Sequence, residues 1–464
     1  MSEKKKEDDN NPDISGIKNY GKFIFFIEFF ILFLFCCSYN SIIRDKKPEI
    51  IEKFQIPEKD IAQYGLILQL GRVFGTIFII ALVLKFKAFN NIQYFTFASI
   101  LIKIIAFFLI YYFDLTKEYT SWVMISIFIQ GLCHSLIELF FHVWINHFCF
   151  WNLCLLSILI GASPLSNYFG SYITKNDSIS LCSLKLFICI VIFDVIFVIT
   201  AFIFSKYFDL SISKVEKVKD KEKYEKNDNR NKEFKEKMEF ENLKSTFSKK
   251  YDFFFITLSR AILKLSFCGI YAILKKYYYK LDGDEELNEF LTYIPFTNSD
   301  NILDSLFIIP SIGLIIGAVL SFFDWFKKNE TILIISFLIG ISGIFACINN
   351  KLYFVISIFF FYAFANLIIP SLIQKSFDCF KNDEQLQEIS YAFNCFIYLV
   401  IGNLISSFLN ANIESTNFLM KMYLLIAWVN LFFIIKYIYA KKEGNSDSKN
   451  KNSEGEELKE TFDV

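Results

Sequence analysis

Histidine and glutamate side chains that suit proton transfer stand close together in one apolar segment. His134, Glu138 and His142 are each four residues apart, and His147 follows just after the segment. At about 100° per residue, this spacing aligns the first three side chains in one polar stripe along a helix. Imidazole titrates near neutral pH, so the stripe is a candidate proton relay. The alternatives are packing against other helices, and metal binding that would need further ligands.

Other ionisable side chains interrupt apolar runs, where a charge costs at least about 2.5–3.5 kcal/mol at mid-bilayer. Arg72 and Arg260 present forked donors that suit an anionic group such as a carboxylate. The alternative is an internal ion pair with Glu28, Glu138 or Asp194, and both roles coexist if the pair breaks during a transport cycle. The candidate substrate-binding or coupling residues are Glu28, Arg72, His134, Glu138, His142, Asp194 and Arg260.

Two lysines in apolar runs, Lys103 and Lys264, are expected to extend their amines to the membrane interface. Beyond Arg260 and Lys264, the polar side chains in the apolar runs of the second half are mostly amides. They are Asn366, Gln374, Asn394, Asn403 and Asn430.

The composition is that of a membrane protein. Hydrophobic types make up 54% of the 464 residues and aromatic types 19%, more than a soluble core of this size can bury. A soluble enzyme, a disordered chain, a collagen-like chain and a disulfide scaffold are therefore excluded. The 48 basic and 48 acidic residues balance, so nothing points to nucleic acid. The 11 cysteines form no C-x-x-C pair and are interpreted as small apolar residues.

Apolar runs of about 20 residues, the length of a membrane-spanning helix, recur along the chain. In hydrocarbon, backbone polar groups must be satisfied within the segment, so these runs are predicted to be helices. The predicted spans are 22–43, 61–84, 92–113, 120–145, 150–173, 181–205, 252–275, 303–323, 330–348, 351–374, 386–410 and 417–438. The sequence thus predicts an all-α integral membrane protein with twelve transmembrane helices.

A charged segment divides the twelve spans into two groups of six. Residues 206–251 are more basic than acidic, so this linker is predicted to be solvated and cytoplasmic. An even number of spans on each side then places both termini in the cytoplasm. The predicted domains are a cytoplasmic tail 1–21, a six-helix bundle 22–205, the linker 206–251, a second six-helix bundle 252–438 and a disordered cytoplasmic tail 439–464.

The two groups of spans repeat a glycine pattern. Gly71 and Gly75 form a G-x-x-x-G motif in the second span, and Gly313 and Gly317 form one in the eighth. Each motif places two glycines on one helix face, where a neighbouring helix can approach closely. The same spacing at the same ordinal position indicates an internal repeat, and parallel six-helix repeats are a transporter architecture.

Two sets of six spans, a charged linker and glycine-marked spans resemble the major facilitator superfamily. The likeness extends from about residue 20 to residue 440. In that family a loop after the second span carries a Gly, an Asp and basic residues, and the second half repeats it. The residues that match these loops are Gly75, Lys85 and Lys87 in the first copy, which has no Asp, and Gly317, Lys327 and Lys328 in the second. Asp324 of the second copy is displaced from the family spacing. The stretch from Gly161 to Gly170 is similar to the family's glycine/proline pattern in the fifth span.

Three prolines lie within predicted spans, and each frees a backbone carbonyl and can kink its helix. They are Pro164, Pro310 and Pro370. The candidate helix-packing or gating residues are Gly71, Gly75, Pro164, Gly313, Gly317 and Pro310.

The resemblance implies a secondary active transporter that moves a small organic solute by alternating access, with protons as the candidate coupling ion in symport. The alternatives are a facilitative or amphipathic-lipid carrier of the same fold, and a non-transporting receptor or scaffold. No H-E-x-x-H or G-x-S-x-G motif occurs, so an enzyme is not predicted. The expected partners are the solute, protons and the lipid bilayer, without cofactor, metal or nucleic acid. The protein is expected to be a monomer in the plasma membrane or an internal membrane.

Overall fold

The computed structural model consists of helices joined by short turns in the residues that it describes. These residues are 23–24, 26–35, 38, 52, 58–86, 101–105, 120–146, 155–160, 165–166, 178–207, 250–278, 302–348, 350–380 and 384–460. Apolar side chains fill the space between the helices. One large cluster of buried residues includes side chains from both halves of the chain.

Three long helices are described in the first half. Helix α1 extends over Glu58–Phe86, α2 over Thr120–Asn146 and α3 over Ile179–Tyr207. A shorter apolar helix, Phe26–Phe35, lies within the first predicted span. The most extensive helix packing described in this half joins α1 to α2.

The described part of the second half is more complete. Its helices are α4 Tyr251–Tyr278, α5 Ile302–Leu320, α6 Asn329–Ala346, α7 Lys351–Asp378, α8 Glu384–Ile397, α9 Ile405–Asn412 and α10 Thr416–Glu460. A π-helix, Tyr398–Leu404, joins α8 to α9, so these three elements form one span. The Asn350 side chain caps α7, because its oxygen accepts hydrogen bonds from the first free backbone amides of that helix.

Ten of the twelve predicted spans contain a described apolar helix. Six are long and apolar enough to cross a membrane: Ser180–Thr200, Tyr251–Leu274, Asn329–Ala346, Lys351–Asp378, Ile389–Asn412 and Thr416–Ala440. The shorter apolar helices are Phe26–Phe35, Tyr64–Phe78, Met124–Leu136 and Ile309–Leu320. The third and fifth spans are described only over 101–105, 155–160 and 165–166. Many large apolar side chains point outward from the helices, as lipid contact requires.

Glycines allow α1 and α2 to approach closely. A Cβ atom added to Gly71 would lie 2.1 Å from the carbonyl oxygen of Phe128. One added to Gly75 would lie 2.7 Å from the carbonyl oxygen of Leu132. A side chain does not fit at these distances, so the first G-x-x-x-G motif forms the contact face between the two helices.

The second half repeats this close approach between α5 and α7. A Cβ atom on Gly313 would lie 2.7 Å from the carbonyl oxygen of Phe359. One on Gly317 would lie 2.6 Å from that of Ala363. The second and fourth spans of one half, and the eighth and tenth spans of the other, therefore pack through the same motif.

Two of the three prolines in predicted spans lie within described helices. Pro310 lies inside α5 and Pro370 inside α7, whereas Pro164 is outside the described residues.

Helix α10 continues to Glu460, past residue 439, where the sequence predicts a disordered tail. This extension is rich in Lys and Glu, which have high helix propensity.

A buried amide connects the two halves. The Asn366 Nδ2 atom of α7 donates to the carbonyl oxygens of Ser157, at 3.2 Å, and Leu314, at 2.6 Å. Ser157 lies in the fifth span and donates back to the Asn366 carbonyl oxygen at 3.3 Å. The fifth, eighth and tenth spans are thus joined by hydrogen bonds that need no charge.

Candidate functional site

A cavity of about 340 Å³ lies between the first-half helices α1 and α2 and the second-half helices α4 and α9 with the π-helix. More than half of its lining residues are polar, and apolar side chains complete the wall. The polar lining residues are Gln69, Arg72, Gln130, His134, Lys264, Tyr271, Asn403, Ser406, Ser407 and Asn410. Two sets of helices from different halves of the chain therefore contribute side chains to one polar space within an apolar protein.

An arginine–carboxylate pair stands at the first-half wall of the cavity. The Arg72 guanidinium donates to the Glu138 carboxylate, and the two side chains are 12% and 18% exposed. The same carboxylate oxygen lies 3.6 Å from His134 Nε2, one helical turn away. Arg72 Nη1 also donates to Gln69 Oε1 at 3.4 Å. The structure thus brings three of the predicted residues, Arg72, His134 and Glu138, into one contacting group.

Small polar residues one helical turn away help to position Arg72, His134 and Glu138. Thr76 Oγ1 lies 2.6 Å from Ser135 Oγ, which joins α1 to α2 one turn from the ion pair. Thr76 also donates to the Arg72 carbonyl oxygen at 3.0 Å. The His134 ring lies 5.0 Å from the Phe33 ring, measured between centroids. Arg72 and His134 are therefore positioned by neighbours on three helices.

Lys264 of α4 is the cation that the second half contributes to the cavity. Its Nζ atom lies 4.9 Å from the Phe267 ring centroid and 5.0 Å from that of Tyr398, within cation–π range. The expectation that Lys264 extends to the membrane interface is therefore wrong. A Cβ atom on Gly402 would lie 2.7 Å from Lys264 Cγ, so the glycine makes room for the lysine stem.

The π-helix supplies further polar groups at the cavity. Asn403 accepts a hydrogen bond from the Cys268 thiol at 3.2 Å. At the next turns, the Tyr423 hydroxyl donates to Asn410 Oδ1 at 2.7 Å and lies 3.3 Å from the Ser406 carbonyl oxygen. Single π-helical turns within α-helices are frequent at functional sites. Here the π-turn places Gly402 against the Lys264 stem and the Asn403 amide at the cavity.

Arg260 is buried next to the cavity but does not line it. It is 1% exposed, and its Nη1 atom donates to Asn394 Oδ1. Its guanidinium carbon lies 4.3 Å from the Tyr398 ring centroid and 5.6 Å from that of Tyr391. Among the described residues no carboxylate pairs with it, so the alternative ion pair is not seen there.

The candidate carboxylates Glu28 and Asp194 lie outside the cavity lining. Glu28 accepts a hydrogen bond from Thr200 at 3.0 Å, and Asp194 of α3 is buried. Lys103 is also buried, so the expectation that it extends to the interface is wrong. The His142 side chain and His147 are outside the described residues. Within the described part of the chain, no three His, Cys, Asp or Glu residues form a group that could hold a metal ion.

The similarity to known proteins is found at the level of the fold. No protein-family model and no curated protein sequence matches. The structure of FucP, a major facilitator superfamily transporter in the outward conformation, aligns with a TM-score of 0.60 at 11% identity. The alignment covers 89% of this chain and 98% of that chain. The chain has the major facilitator superfamily fold. The predicted fold is thereby confirmed as an all-α integral membrane protein with twelve helices in two bundles.

Two further structures show the same major facilitator fold. The E. coli fucose:proton symporter FucP gives a TM-score of 0.58 at 11% identity and covers 89% of this chain and 98% of its own. The proton:xylose symporter XylE, bound to 6-bromo-6-deoxy-D-glucose, gives 0.62 at 9% identity and covers 91% and 96%. In the major facilitator fold the described cavity lies where the two bundles meet.

Sequence reasoning missed several residues that line the cavity. Asn403, Ser407 and Asn410 are spaced four and three residues apart in an apolar span, which places them on one helix face. Gln69 precedes Arg72 by three residues and is also on its face. These spacings were signals for a polar wall, but the sequence alone does not say which faces of separate helices meet.

Proposed function

We propose that the protein is a secondary active transporter that moves a small organic solute with an anionic group, coupled to protons, by alternating access. The observation that carries this proposal is the polar cavity between the two bundles, lined by a cation from each. Its volume of about 340 Å³ suits a small organic molecule. A solute held there would contact both bundles at once, as alternating access requires.

The charge balance of the cavity favours an anion. The Arg72 charge is offset by Glu138, to which it is hydrogen-bonded. Lys264 forms no ion pair with a carboxylate among the described residues, and its amine lies against aromatic faces. The cavity therefore carries about one uncompensated positive charge, which a carboxylate or similar group on the solute would neutralise.

The contact between Glu138 and His134 supports proton coupling. A solute anion that binds Arg72 would compete with Glu138 for the same guanidinium. The released carboxylate would then be free to take a proton, with His134 at 3.6 Å as the neighbouring titratable group. FucP and XylE, which share the fold, are proton symporters.

The position of the cavity along the helices supports an outward-open arrangement. Lys264 lies at the middle of α4, and the other α4 lining residues lie in the half that is farther from the linker 206–251. Arg72 lies at the middle of α1 and Gln69 just before it, and Asn403 and Asn410 lie in the second half of the eleventh span. With a cytoplasmic linker, the alternating direction of the spans puts these positions at the middle of the membrane or on its outer side.

The test begins with the solute. Untargeted measurement of metabolites in cells with and without the protein identifies solutes that change in amount. Each candidate is then offered to vesicles that contain the purified protein, with and without a proton gradient. We expect uptake of an anionic solute that the gradient accelerates. Uptake of uncharged or amphipathic solutes only, or uptake that ignores the gradient, would contradict the proposal.

Lys264→Gln separates the role of the cavity from general effects of lysine removal. We expect it to lower uptake at least about tenfold, equivalent to about 1.4 kcal/mol. Lys421→Gln is the matched control, because Lys421 is an exposed lysine of α10 that does not line the cavity. Equal uptake by both variants would show that Lys264 does not contact the solute.

A further inference from the structure

Gln130 of α2 carries a buried amide oxygen that accepts no hydrogen bond. The side chain is 2% exposed, and no protein group donates to its Oε1 atom in the described structure. The same residue lines the polar cavity. A buried acceptor without a donor costs free energy, and folded proteins rarely leave one unpaired. A donor group on a bound solute would remove this cost.

The other amides of the cavity wall already use their oxygens. In each of three lining side chains, the amide oxygen accepts a hydrogen bond from a protein group. The pairs are Gln69 with Arg72 at 3.4 Å, Asn403 with Cys268 at 3.2 Å, and Asn410 with Tyr423 at 2.7 Å. What these amides retain for a solute is the NH2 group, which only donates. Gln130 differs from them in offering an acceptor.

Close helix packing holds Gln130 at the cavity. A Cβ atom on its neighbour Gly131 would lie 2.2 Å from the carbonyl oxygen of Leu68, so α2 contacts the α1 backbone directly at this level. Gln130 precedes His134 by four residues, which places the two on one face of α2, and both line the cavity. The amide thus stands one helical turn before the contact between His134 and Glu138.

The charge of the cavity decides which kind of donor suits Gln130. The common donors on small carboxylates are hydroxyl and ammonium groups. Among the described residues that line the cavity there is no Asp or Glu, and Lys264 brings a positive charge. An ammonium group would be repelled by Lys264 and would find no lining carboxylate to neutralise it. A hydroxyl group is uncharged and donates equally well to an amide oxygen.

We propose that Gln130 is a specificity-determining residue and that the solute is a hydroxy acid, a small carboxylate with at least one hydroxyl group. The carboxylate contacts Lys264 and Arg72, and one hydroxyl donates to Gln130 Oε1. The NH2 groups of the other lining amides donate to the remaining oxygens of the solute. This inference rests on the proposed function, because it starts from anion binding in the cavity.

Binding to the purified full-length protein in lipid nanodiscs tests the proposal without any transport step. The probes are lactate, glycerate and gluconate. Propionate and hexanoate are the plain acids of the same lengths, and alanine has an ammonium group where lactate has its hydroxyl. By titration calorimetry, we expect at least one hydroxy acid to bind at least about tenfold more tightly than the plain acid of its length. Equal binding of plain and hydroxy acids, tighter binding of alanine than of lactate, or no binding of any hydroxy acid would overturn the proposal.

Gln130→Met tests whether this residue recognises the hydroxyl group. Methionine retains the length of the side chain and removes the amide, so we expect the affinity for the hydroxy acid to fall about tenfold and that for the plain acid to stay. Gln374→Met is the matched control, because Gln374 of α7 does not line the cavity, and it should keep the preference. A hydroxyl preference that survives in Gln130→Met would overturn the assignment.

Thermal denaturation without solute gives a second measurement on the same variant. Because the Gln130 oxygen is buried and unpaired, its removal should leave the midpoint of denaturation unchanged or raise it. A lower midpoint, or a Gln130→Met protein that does not fold, would show a structural role and overturn the proposal.

These outcomes are distinct from those that test the proposed function. Hydroxy-acid binding that depends on Gln130, together with uptake that ignores the proton gradient, would count against proton coupling alone. Gradient-driven uptake of anions with no preference for a hydroxyl group would count against the hydroxy-acid proposal alone.

Discussion

The two halves of the chain share a helix-packing motif but hold their arginines in opposite ways. Arg72 pairs with the Glu138 carboxylate at a polar cavity, and the two side chains are 12% and 18% exposed. Arg260 is 1% exposed, binds the Asn394 amide and packs on the Tyr398 ring. A repeated backbone arrangement therefore does not dictate repeated chemistry. Titratable partners are found beside the cavity, and neutral partners surround the buried cation.

Amides take the structural role in the second half. Ser259 donates to Asn430, which joins α4 to α10. Asn394 Nδ2 donates to Thr257 Oγ1 at 3.1 Å, which joins α4 to α8. Amide hydrogen bonds hold helices together without net charge, so they do not respond to pH. This contrast predicts that pH-dependent steps belong to the first bundle and that the second bundle serves as a framework.

The largest expected effect is that of Arg72→Gln, which breaks the first-half pair. We expect solute uptake into vesicles to fall at least about a hundredfold, because the cavity loses its forked donor. The free energy of unfolding should also fall, by about 2 kcal/mol, since Glu138 is left without its cation. Uptake assays and thermal denaturation measure the two effects.

The double variant Arg72→Gln/Glu138→Gln distinguishes these effects. It removes both charges, so we expect stability to return toward that of the wild type while uptake stays lost. Uptake restored by the double variant would mean that the pair has only a structural role. The first half would then be no different from the second in its use of arginine.

The glycine contacts allow the two halves to be compared in stability. Gly71→Ala would place a Cβ atom 2.1 Å from a backbone oxygen. Overpacking costs roughly 1–3 kcal/mol, and we expect this variant to lose free energy of unfolding near the upper end of that range. Gly313→Ala meets its oxygen at 2.7 Å and should cost less. Gly65→Ala is the control, because nothing lies within 4 Å of its added Cβ. Thermal denaturation that ranks Gly313→Ala as the most damaging would contradict the geometry.

Much of the fold follows from the sequence because span length and apolar composition are local properties. The twelve-span architecture needed only runs of sufficient length, and ten of the runs contain a described apolar helix of ten residues or more. The G-x-x-x-G motifs also identified a helix face without any knowledge of its partner. That Gly71 meets α2 and Gly313 meets α7 required the structure, because the motif does not name the neighbour.

The candidate site was harder to predict because it depends on which faces of distant helices meet. His134 and Glu138 were recognised because both belong to one helix, where spacing determines direction. Lys264 was assigned to the membrane interface, since a lysine stem can extend either way and only packing against Gly402 and Tyr398 selects the cavity. Arg260 was a candidate for solute contact or for an ion pair, because the sequence does not show that Asn394 and two tyrosines surround it.

Variants of Arg260 test whether this buried arginine has only a structural role in the second half. Arg260→Met removes the buried charge and retains a long side chain, so we expect a change in stability within about 1 kcal/mol. Arg260→Lys keeps the charge but loses the planar group that stacks on Tyr398, and should be the less stable of the two. Uptake should persist in Arg260→Met. A folded Arg260→Met protein without uptake would place this arginine in the transport machinery and end the contrast with Arg72.

The smallest expected effect on uptake is that of Gly402→Ala, which tests whether the position of Lys264 in the cavity matters. Gly402→Ala would place a Cβ atom 2.7 Å from Lys264 Cγ and 2.8 Å from Lys264 Cβ, which is fixed to the α4 backbone, so we also expect a loss of stability of about 1 kcal/mol. The displaced amine should bind the solute less well, and we expect the apparent KM for uptake to rise about threefold, or roughly 0.7 kcal/mol, at an unchanged maximal rate. Gly343→Ala is the matched control, because its Cβ would meet Leu424 at an ordinary 3.4 Å. An unchanged KM in a folded Gly402→Ala protein would mean that the position of Lys264 does not matter for the solute, and the cavity would then owe its selectivity to the first half alone.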